Sequence, residues 1–315
     1  MTDVERLSSL DVAPRKATRV QLVLGFACIY VVWGSTYLAI RFGIATIPPF
    51  IMGAVRFLIA GMALYAWSRT RGAPKPTRLE WRNSAIIGTL LLFVGNGAVS
   101  WAEQRVSSGM TSLLVSTVPL WVVLCELWEG TKPRLLQILG VGIGLVGVAL
   151  LVLPTDGKLS SAAVDPLGAL VLAIGSLSWT IGSLYSRRAV LAKPATVAIA
   201  MQMLSAGVLL FGLAVVTGEF HGLKMANIST RSMWALLYLI VFGSLVGFST
   251  YMWLLRVASP AAVGTYAYVN PVVAVLLGVA FAGERLPPQA IVAMLIIVGG
   301  VAMVSLAPRF ARVLT

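Results

Sequence analysis

Ten runs of apolar residues, each close to twenty long and nearly free of charge, divide this chain at 20–42, 48–68, 84–104, 107–128, 134–154, 166–186, 195–217, 232–255, 260–282 and 288–307. A helix of about twenty apolar residues crosses the hydrocarbon core of a bilayer. Within lipid only helices and closed barrels satisfy every backbone N–H and C=O, so runs of this length predict an all-α integral membrane protein. Of 315 residues, 58% are hydrophobic and 11% charged, and the mean hydropathy is +0.91. A soluble domain carries about 25% charged residues; this chain has too few polar side chains to clothe a water-facing surface. The formal charge of +13 would suggest nucleic acid in a soluble protein. Here the basic residues stand between the apolar runs, where they set orientation against the membrane, and no nucleic-acid partner is expected.

With the first run entering from the cytoplasm, 17 Lys and Arg fall on the cytoplasmic side, and 6 on the other: Arg41, Arg105, Lys158, Lys224, Arg231 and Arg285. Arg56 remains inside a span. The asymmetry predicts a multi-pass protein of the cytoplasmic (inner) membrane with both termini inside. It also checks the count, because one omitted helix would flip every later loop. Arg15, Lys16 and Arg19 ahead of the first run suggest a secretory leader, but the run is too long and lacks a clear small-residue cleavage site, so it reads as a retained span. Residues 1–19 are expected to be a cytoplasmic tail, and the loops are too short to fold alone.

The two halves of the chain resemble each other. Gly34-Ser35-Thr36-Tyr37 recurs as Gly182-Ser183-Leu184-Tyr185, Arg105-Val106-Ser107-Ser108 as Arg256-Val257-Ala258-Ser259, Pro119 as Pro271, and Gly147-Val148-Ala149 as Gly300-Val301-Ala302. Five spans per repeat is an odd number, so residues 20–154 and 166–307 are expected to form two five-helix repeats of opposite orientation. Inverted repeats around a midplane site are a recurrent transporter plan, because two similar halves can open alternately to either side.

Several stretches carry a family resemblance. Tyr266-Ala267-Tyr268-Val269-Asn270-Pro271, Gly283-Glu284-Arg285-Leu286 and the closing Gly299-Gly300-Val301 look like the second half of an EamA-type member of the drug/metabolite transporter superfamily. Trp33-Gly34-Ser35-Thr36, Pro48-Pro49 and Arg56-Phe57-Leu58 resemble its first half. Val94-Gly95-Asn96-Gly97 and Ala102-Glu103-Gln104 look most like the YedA-like exporters of that family. Over residues 22–307 the resemblance implies ten helices and export of small metabolites or drugs, without naming a substrate. The first half reads Trp128-Glu129-Gly130-Thr131-Lys132 where the second has its Gly-Glu-Arg-Leu, so no role passes to Glu129.

Pro119 and Pro271 lie eleven to thirteen residues into their spans, near the bilayer middle at ~1.5 Å per residue. Each withholds a hydrogen bond from the carbonyl four residues back, at Val115 and Ala267. A pair of helix breaks presenting backbone acceptors, with a gating role, is the functional expectation; a simple kink is the bland one. Trp33, Trp179, Tyr251 and Tyr266 offer rings on which a small solute could stack, or interfacial anchors. Asn96 and Asn270 need partners in hydrocarbon, from substrate or from another helix. Arg56 suits a substrate carboxylate, a salt bridge with Glu103, or a snorkelling role, and Glu103 suits proton coupling. Gly140, Gly144 and Gly147 share a face suited to close helix packing, expected within the protein, which is read as a monomer or weak homodimer.

Several function classes are excluded. Cys28 and Cys125 have no ligand spacing, and His221 is the single histidine, so no metal, cofactor or catalytic set is expected. No GxxxxGK[ST] pattern for nucleotide occurs. A small-molecule substrate and a lipid bilayer are the expected partners, with a proton or other ion gradient as the drive, or gradient-independent exchange. An intramembrane enzyme or a non-transporting scaffold are the alternatives of another class, and the sequence offers neither a clustered catalytic set nor a reason for inverted repeats in a scaffold.

Overall fold

A computed structural model describes residues 17–128, 130, 133–152, 164–221, 223–258, 260–284 and 288–313, with side chains except at 151–152, 260–261, 268 and 305–313. The tail up to residue 16, Glu129, Lys132, Lys158, Arg285, Leu286 and the side chain of Tyr268 lie outside this description.

Helices stand on all ten apolar runs. In chain order they are α1 (Arg19–Gly43), α2 (Pro49–Thr70), α3 (Arg78–Ala102), α4 (Ser108–Trp128), α5 (Leu135–Val152), α6 (Pro166–Arg188), α7 (Ala195–Val216), α8 (Thr230–Val257), α9 (Tyr266–Ala282) and α10 (Pro288–Val313). Among the described residues, α1 to α4 and α6 to α8 are long and apolar enough to cross a membrane, while the apolar parts of α5, α9 and α10 are shorter. The protein is thus an all-α multi-pass membrane fold.

Polar caps extend two helices beyond their apolar runs. Thr77 and Glu80 form a reciprocal capping box, Thr77 N–H donating to Glu80 Oε2 at 2.7 Å and Glu80 N–H to Thr77 Oγ1 at 3.3 Å, which starts α3 at Arg78 rather than at 84. Ser229 accepts from Ser232 N–H at 3.1 Å and starts α8 at Thr230. An amphipathic first turn of this kind is invisible to a search for unbroken apolar runs.

Packing is symmetric under exchange of the two halves. Helix α2 lies on α7, α5 on α10, and α4 on α9. Helix α1 packs against α8 and α9, just as α6 packs against α3 and α4. The small-residue face of α5 is filled from within the chain: a Cβ on Gly140 would come within 2.7 Å of the Gly300 carbonyl on α10, and one on Gly144 within 2.6 Å of Leu120 on α4.

Contacts among helix ends and connecting segments define two ends. At one, Thr46 Oγ1 donates to Ser232 Oγ at 2.7 Å and Glu219 accepts from the N–H groups of Phe50 and Ile51. At the other, Asn83 Nδ2 donates to the Val190 carbonyl at 2.9 Å, Tyr185 OH to Asn83 Oδ1 at 2.9 Å, and Ser68 Oγ to Thr196 Oγ1 at 2.8 Å.

Helices α3 and α8 share a further feature. Thr89–Asn96 in α3 and Leu239–Phe248 in α8 are wound as π-helix. These are equivalent positions in the two halves. A π segment widens the helix and leaves its hydrogen-bond ladder out of step, and such segments occur often at functional sites. Both surround the bundle centre.

Candidate functional site

Between the halves lies a cavity of about 710 Å³, its open mouth included. Helix α1 contributes Trp33, Thr36, Tyr37 and Ile40, which recur at helical spacing on one face. Arg56 and Phe57 enter from α2; Leu92, Gly95, Asn96 and Val99 from the π segment and last turns of α3; Leu172, Gly175, Ser176 and Trp179 from α6. Gly243 and Phe248 of the α8 π segment, Val115 of α4 and Tyr266 of α9 complete the lining.

The aromatic residues form one connected wall. Trp33 is its hub, with ring centroids 5.5 Å from Trp179 in an edge-on arrangement, 4.8 Å from Tyr251 and 5.6 Å from Tyr266. Tyr251 stands behind this wall. Its hydroxyl accepts from Trp179 Nε1–H at 3.0 Å and shares a 2.8 Å bond with Ser183. Edge-on and offset pairs of this kind are favourable and hold the ring faces in fixed directions.

The wall is set by glycines in the π segments. A Cβ on Gly95 would lie 3.0 Å from the Trp179 ring, and a Cβ on Gly247 would lie 2.7 Å from Trp33 Nε1. Each half therefore offers a bare stretch of backbone in its third helix to the indole of the other half's first helix. Only glycine leaves room for that approach.

The same cavity holds a buried cation. Arg56 is 4% exposed. Its Nε donates to Ser244 Oγ at 2.7 Å and its Nη1 to Asn96 Oδ1 at 3.2 Å, and the guanidinium lies 4.9 Å from the Phe57 ring centroid. Among the described residues no carboxylate forms an ion pair with Arg56. Ser176, on the lining, also keeps a hydroxyl with no partner. A partly enclosed chamber with one forked donor, an amide and a wall of rings can hold a small solute by an anionic group and a flat apolar body.

Five of the residues singled out in the sequence thus line the cavity together: Trp33, Arg56, Asn96, Trp179 and Tyr266, with Tyr251 behind them. Glu103 lies beyond the lining and does not pair with Arg56, because it sits two turns past Asn96 at the end of α3. Asn270 is buried one turn past Tyr266, its Oδ1 without a partner, and does not line the cavity. Ser116 and Thr117 turn back on their own helix, donating to the carbonyls of Leu113 at 2.6 Å and Leu114 at 2.7 Å.

The two prolines stand differently in their helices. Helix α4 is interrupted at Ser116 and Thr117, just before Pro119, and one side of this break exposes Val115 to the cavity. Pro271, by contrast, lies inside a continuous α9. The break in that half falls earlier, at Gly264 and Thr265, between a single turn (Pro260–Val263) and α9. There the Tyr30 hydroxyl shares a 2.6 Å bond with Thr265 Oγ1, which ties the break to α1. Glycine lowers the cost of leaving the helix at that point, so the chain turns there and not at the proline.

Thr36, Tyr37, Ser176, Ser244 and the π-segment glycines Gly95, Gly243 and Gly247 were not apparent as site residues from sequence. Small hydroxyl residues in apolar runs mostly bond their own helix, as Thr36 does to the Trp33 carbonyl at 2.7 Å.

Comparisons with known proteins show the family and the fold. The EamA-like transporter family matches residues 21–153 and 166–306. The inner membrane transporter YedA of Escherichia coli (strain K12) is similar at 42% identity over 280 residues, 88% of each chain. The transporter YoaV of Bacillus subtilis (strain 168) is similar at 24% identity, over 90% of this chain and 96% of its own. A solved crystal structure shares the fold at a TM-score of 0.65 and 22% identity, covering 93% of this chain and 99% of its own.

Proposed function

The chain belongs to the EamA-like transporter family, and from that premise we propose that it exports small solutes bearing an anionic group, amino-acid-like compounds among them, by alternating access of the central cavity. It is a secondary transporter of the cytoplasmic membrane, not an enzyme. In the proposed arrangement ten helices cross the bilayer with both termini in the cytoplasm. Residues 20–154 and 166–307 act as the two inverted halves, and residues 1–19 as a cytoplasmic tail. Support comes from the exchange-symmetric packing and from the basic residues Arg69, Arg71, Lys75, Arg187, Arg188 and Lys193, which flank the segments joining α2 to α3 and α6 to α7.

The observation that carries the reading is Arg56, a buried guanidinium on the cavity without a described counter-charge. A charge inside a membrane protein is costly and in general persists where it pairs or serves a pathway. A substrate carboxylate arriving in the cavity supplies the missing partner in bidentate geometry. The ring wall of Trp33, Trp179 and Tyr266 supplies contact for the rest of the solute. The π segments and the α4 break are places where helices can repack as one half tilts against the other.

Purified protein in proteoliposomes loaded with a mixed pool of amino acids, other carboxylates, neutral metabolites and cationic drugs tests this. Wild-type protein is expected to release a carboxylate-bearing subset, and Arg56→Gln to release that subset at least tenfold more slowly while remaining monodisperse. Release of neutral or cationic solutes alone, or of carboxylates at wild-type rate by Arg56→Gln, would overturn it.

A further inference from the structure

Glu103 follows the last residue of α3 and is 0% exposed, yet neither carboxyl oxygen has a hydrogen-bond partner. The charged groups near it are already engaged. Arg41 of α1 gives its guanidinium to the main-chain oxygen of Glu103, not to the carboxylate. Glu284, from the segment after α9, accepts the N–H and hydroxyl of Ser108 at 2.8 Å each and the N–H of Gly109 at 3.1 Å, which anchors it on the first turn of α4. Tyr37, one helical turn before Arg41, faces Glu103 from α1 and also lines the cavity. At this end of α3, Arg105 and Asp165 pair with each other.

Placement adds a second observation. Asn96, Val99 and Glu103 follow one another at helical spacing on a single face of α3, and the first two line the cavity. Tyr37 closes the same side from α1. Glu103 is therefore the next polar group beyond the cavity wall, separated from it by one turn of α3. An ionised carboxylate so enclosed, with no donor on it and a second carboxylate nearby, is strongly disfavoured against its protonated form. Arg41 is placed to reverse that balance if it moves from the main-chain oxygen to the side chain.

We propose that Glu103 is the proton-binding site that couples transport to a proton gradient, with Arg41 as the group that takes over the carboxylate when the proton leaves. In the loaded state the proton sits on a carboxyl oxygen of Glu103, and Arg41 keeps the main-chain contact that this structure shows. On release the proton passes to water, the carboxylate accepts the guanidinium, and the Arg41 bond to the main-chain oxygen breaks. That exchange requires α1 and the end of α3 to shift against each other, so proton occupancy biases the packing at one end of the cavity. The inference rests on the transport reading above and names its driving ion.

Infrared difference spectroscopy across pH tests proton binding without any solute. Wild-type protein in lipid vesicles is expected to show the carbonyl stretch of a buried carboxylic acid, shifted in heavy water, absent in Glu103→Gln and retained at a changed frequency in Glu103→Asp. A band that survives unchanged in Glu103→Gln, or none in the wild type at any pH, would overturn the proposal. Coupling is read separately, in proteoliposomes holding the mixed metabolite pool. Wild-type flux is expected to change severalfold with an imposed pH gradient, and Glu103→Gln to lose that ratio; a ratio that persists in the variant, or a wild-type flux indifferent to the gradient, overturns the coupling. If the wild type moves no solute at all, the transport reading fails by itself, and the infrared band still decides whether Glu103 holds the proton.

Discussion

Arg56 keeps its charge in the protein interior with a hydroxyl and an amide oxygen as its hydrogen-bond partners, and its energetics follow from that. Losing a buried charged hydrogen-bond partner costs about 2–5 kcal/mol of binding, so Arg56→Gln should weaken carboxylate binding by a factor on the order of 30 or more. Arg56→Lys keeps the charge and loses the fork, and is expected to restore only part of the affinity. Equilibrium binding of the transported carboxylate to purified variants checks both, and equal affinity of wild type and Arg56→Gln would remove Arg56 from the site. Glu219 offers a stability measurement outside the spans. Its carboxyl is raised above the ordinary carboxylate range, first by burial, with the N–H groups of Ile51 and Phe50 opposing. The folded chain therefore holds that proton more tightly than the unfolded chain, so its contribution is present at low pH and lost as pH rises through the folded value. Thermal unfolding of Glu219→Gln followed across mildly acidic to neutral pH should show a flatter profile than the wild type. Arg56 and the rings were legible in the sequence because a charge or an indole stands out within an apolar run. Ser244 and Ser176 were not, because nothing in a sequence separates a serine that serves a cavity from one that bonds its own helix.

At the scale of the helix, the π segments in α3 and α8 do what the prolines were expected to do: they break regularity at matching places in both halves. Gly247→Ala puts a methyl 2.7 Å from Trp33 Nε1, and Gly95→Ala one 3.0 Å from the Trp179 ring. Overpacking of this kind costs about 1–3 kcal/mol. Both variants should fold with lowered melting temperature, altered tryptophan fluorescence and slowed transport, with Gly247→Ala the more affected. Unchanged fluorescence in both would mean that these indoles do not rest on the π segments. The prolines should also part company. Pro119→Ala removes the cause of the α4 interruption beside the cavity and is expected to slow transport severalfold, whereas Pro271→Ala acts within an intact helix and should change the rate less. Initial rates at matched protein density compare them. Pattern reading found the prolines because proline has a fixed consequence for a helix. It missed the π segments because glycine-containing apolar runs are common in ordinary spans, and only the close approach of an indole gives Gly95 and Gly247 their meaning.

For the whole molecule, the all-α multi-pass membrane fold was written in hydropathy, since a helix stands on each apolar run; the basic side and the two opposed halves belong to the proposed arrangement. What the sequence could not convey was which helices touch, since pairing of α2 with α7 and of α5 with α10 depends on shape at small residues such as Gly140 and Gly300. The proposed orientation has a direct check. With Cys28 and Cys125 replaced by alanine, single cysteines at Lys75 and Lys193 should react with an impermeant thiol reagent only from the cytoplasm, and those at Gln104 and Lys224 only from outside. Ser176 tests the central claim most directly, because it lies on the cavity in α6, buried to 3% exposure with a hydroxyl that has no partner. In the same cysteine-free background, Ser176→Cys is expected to react with small impermeant thiol reagents applied to either face of the membrane, and more slowly when a transported carboxylate is present. Reaction from one face only, with no protection by any transported solute, would contradict a single cavity that opens alternately to both sides.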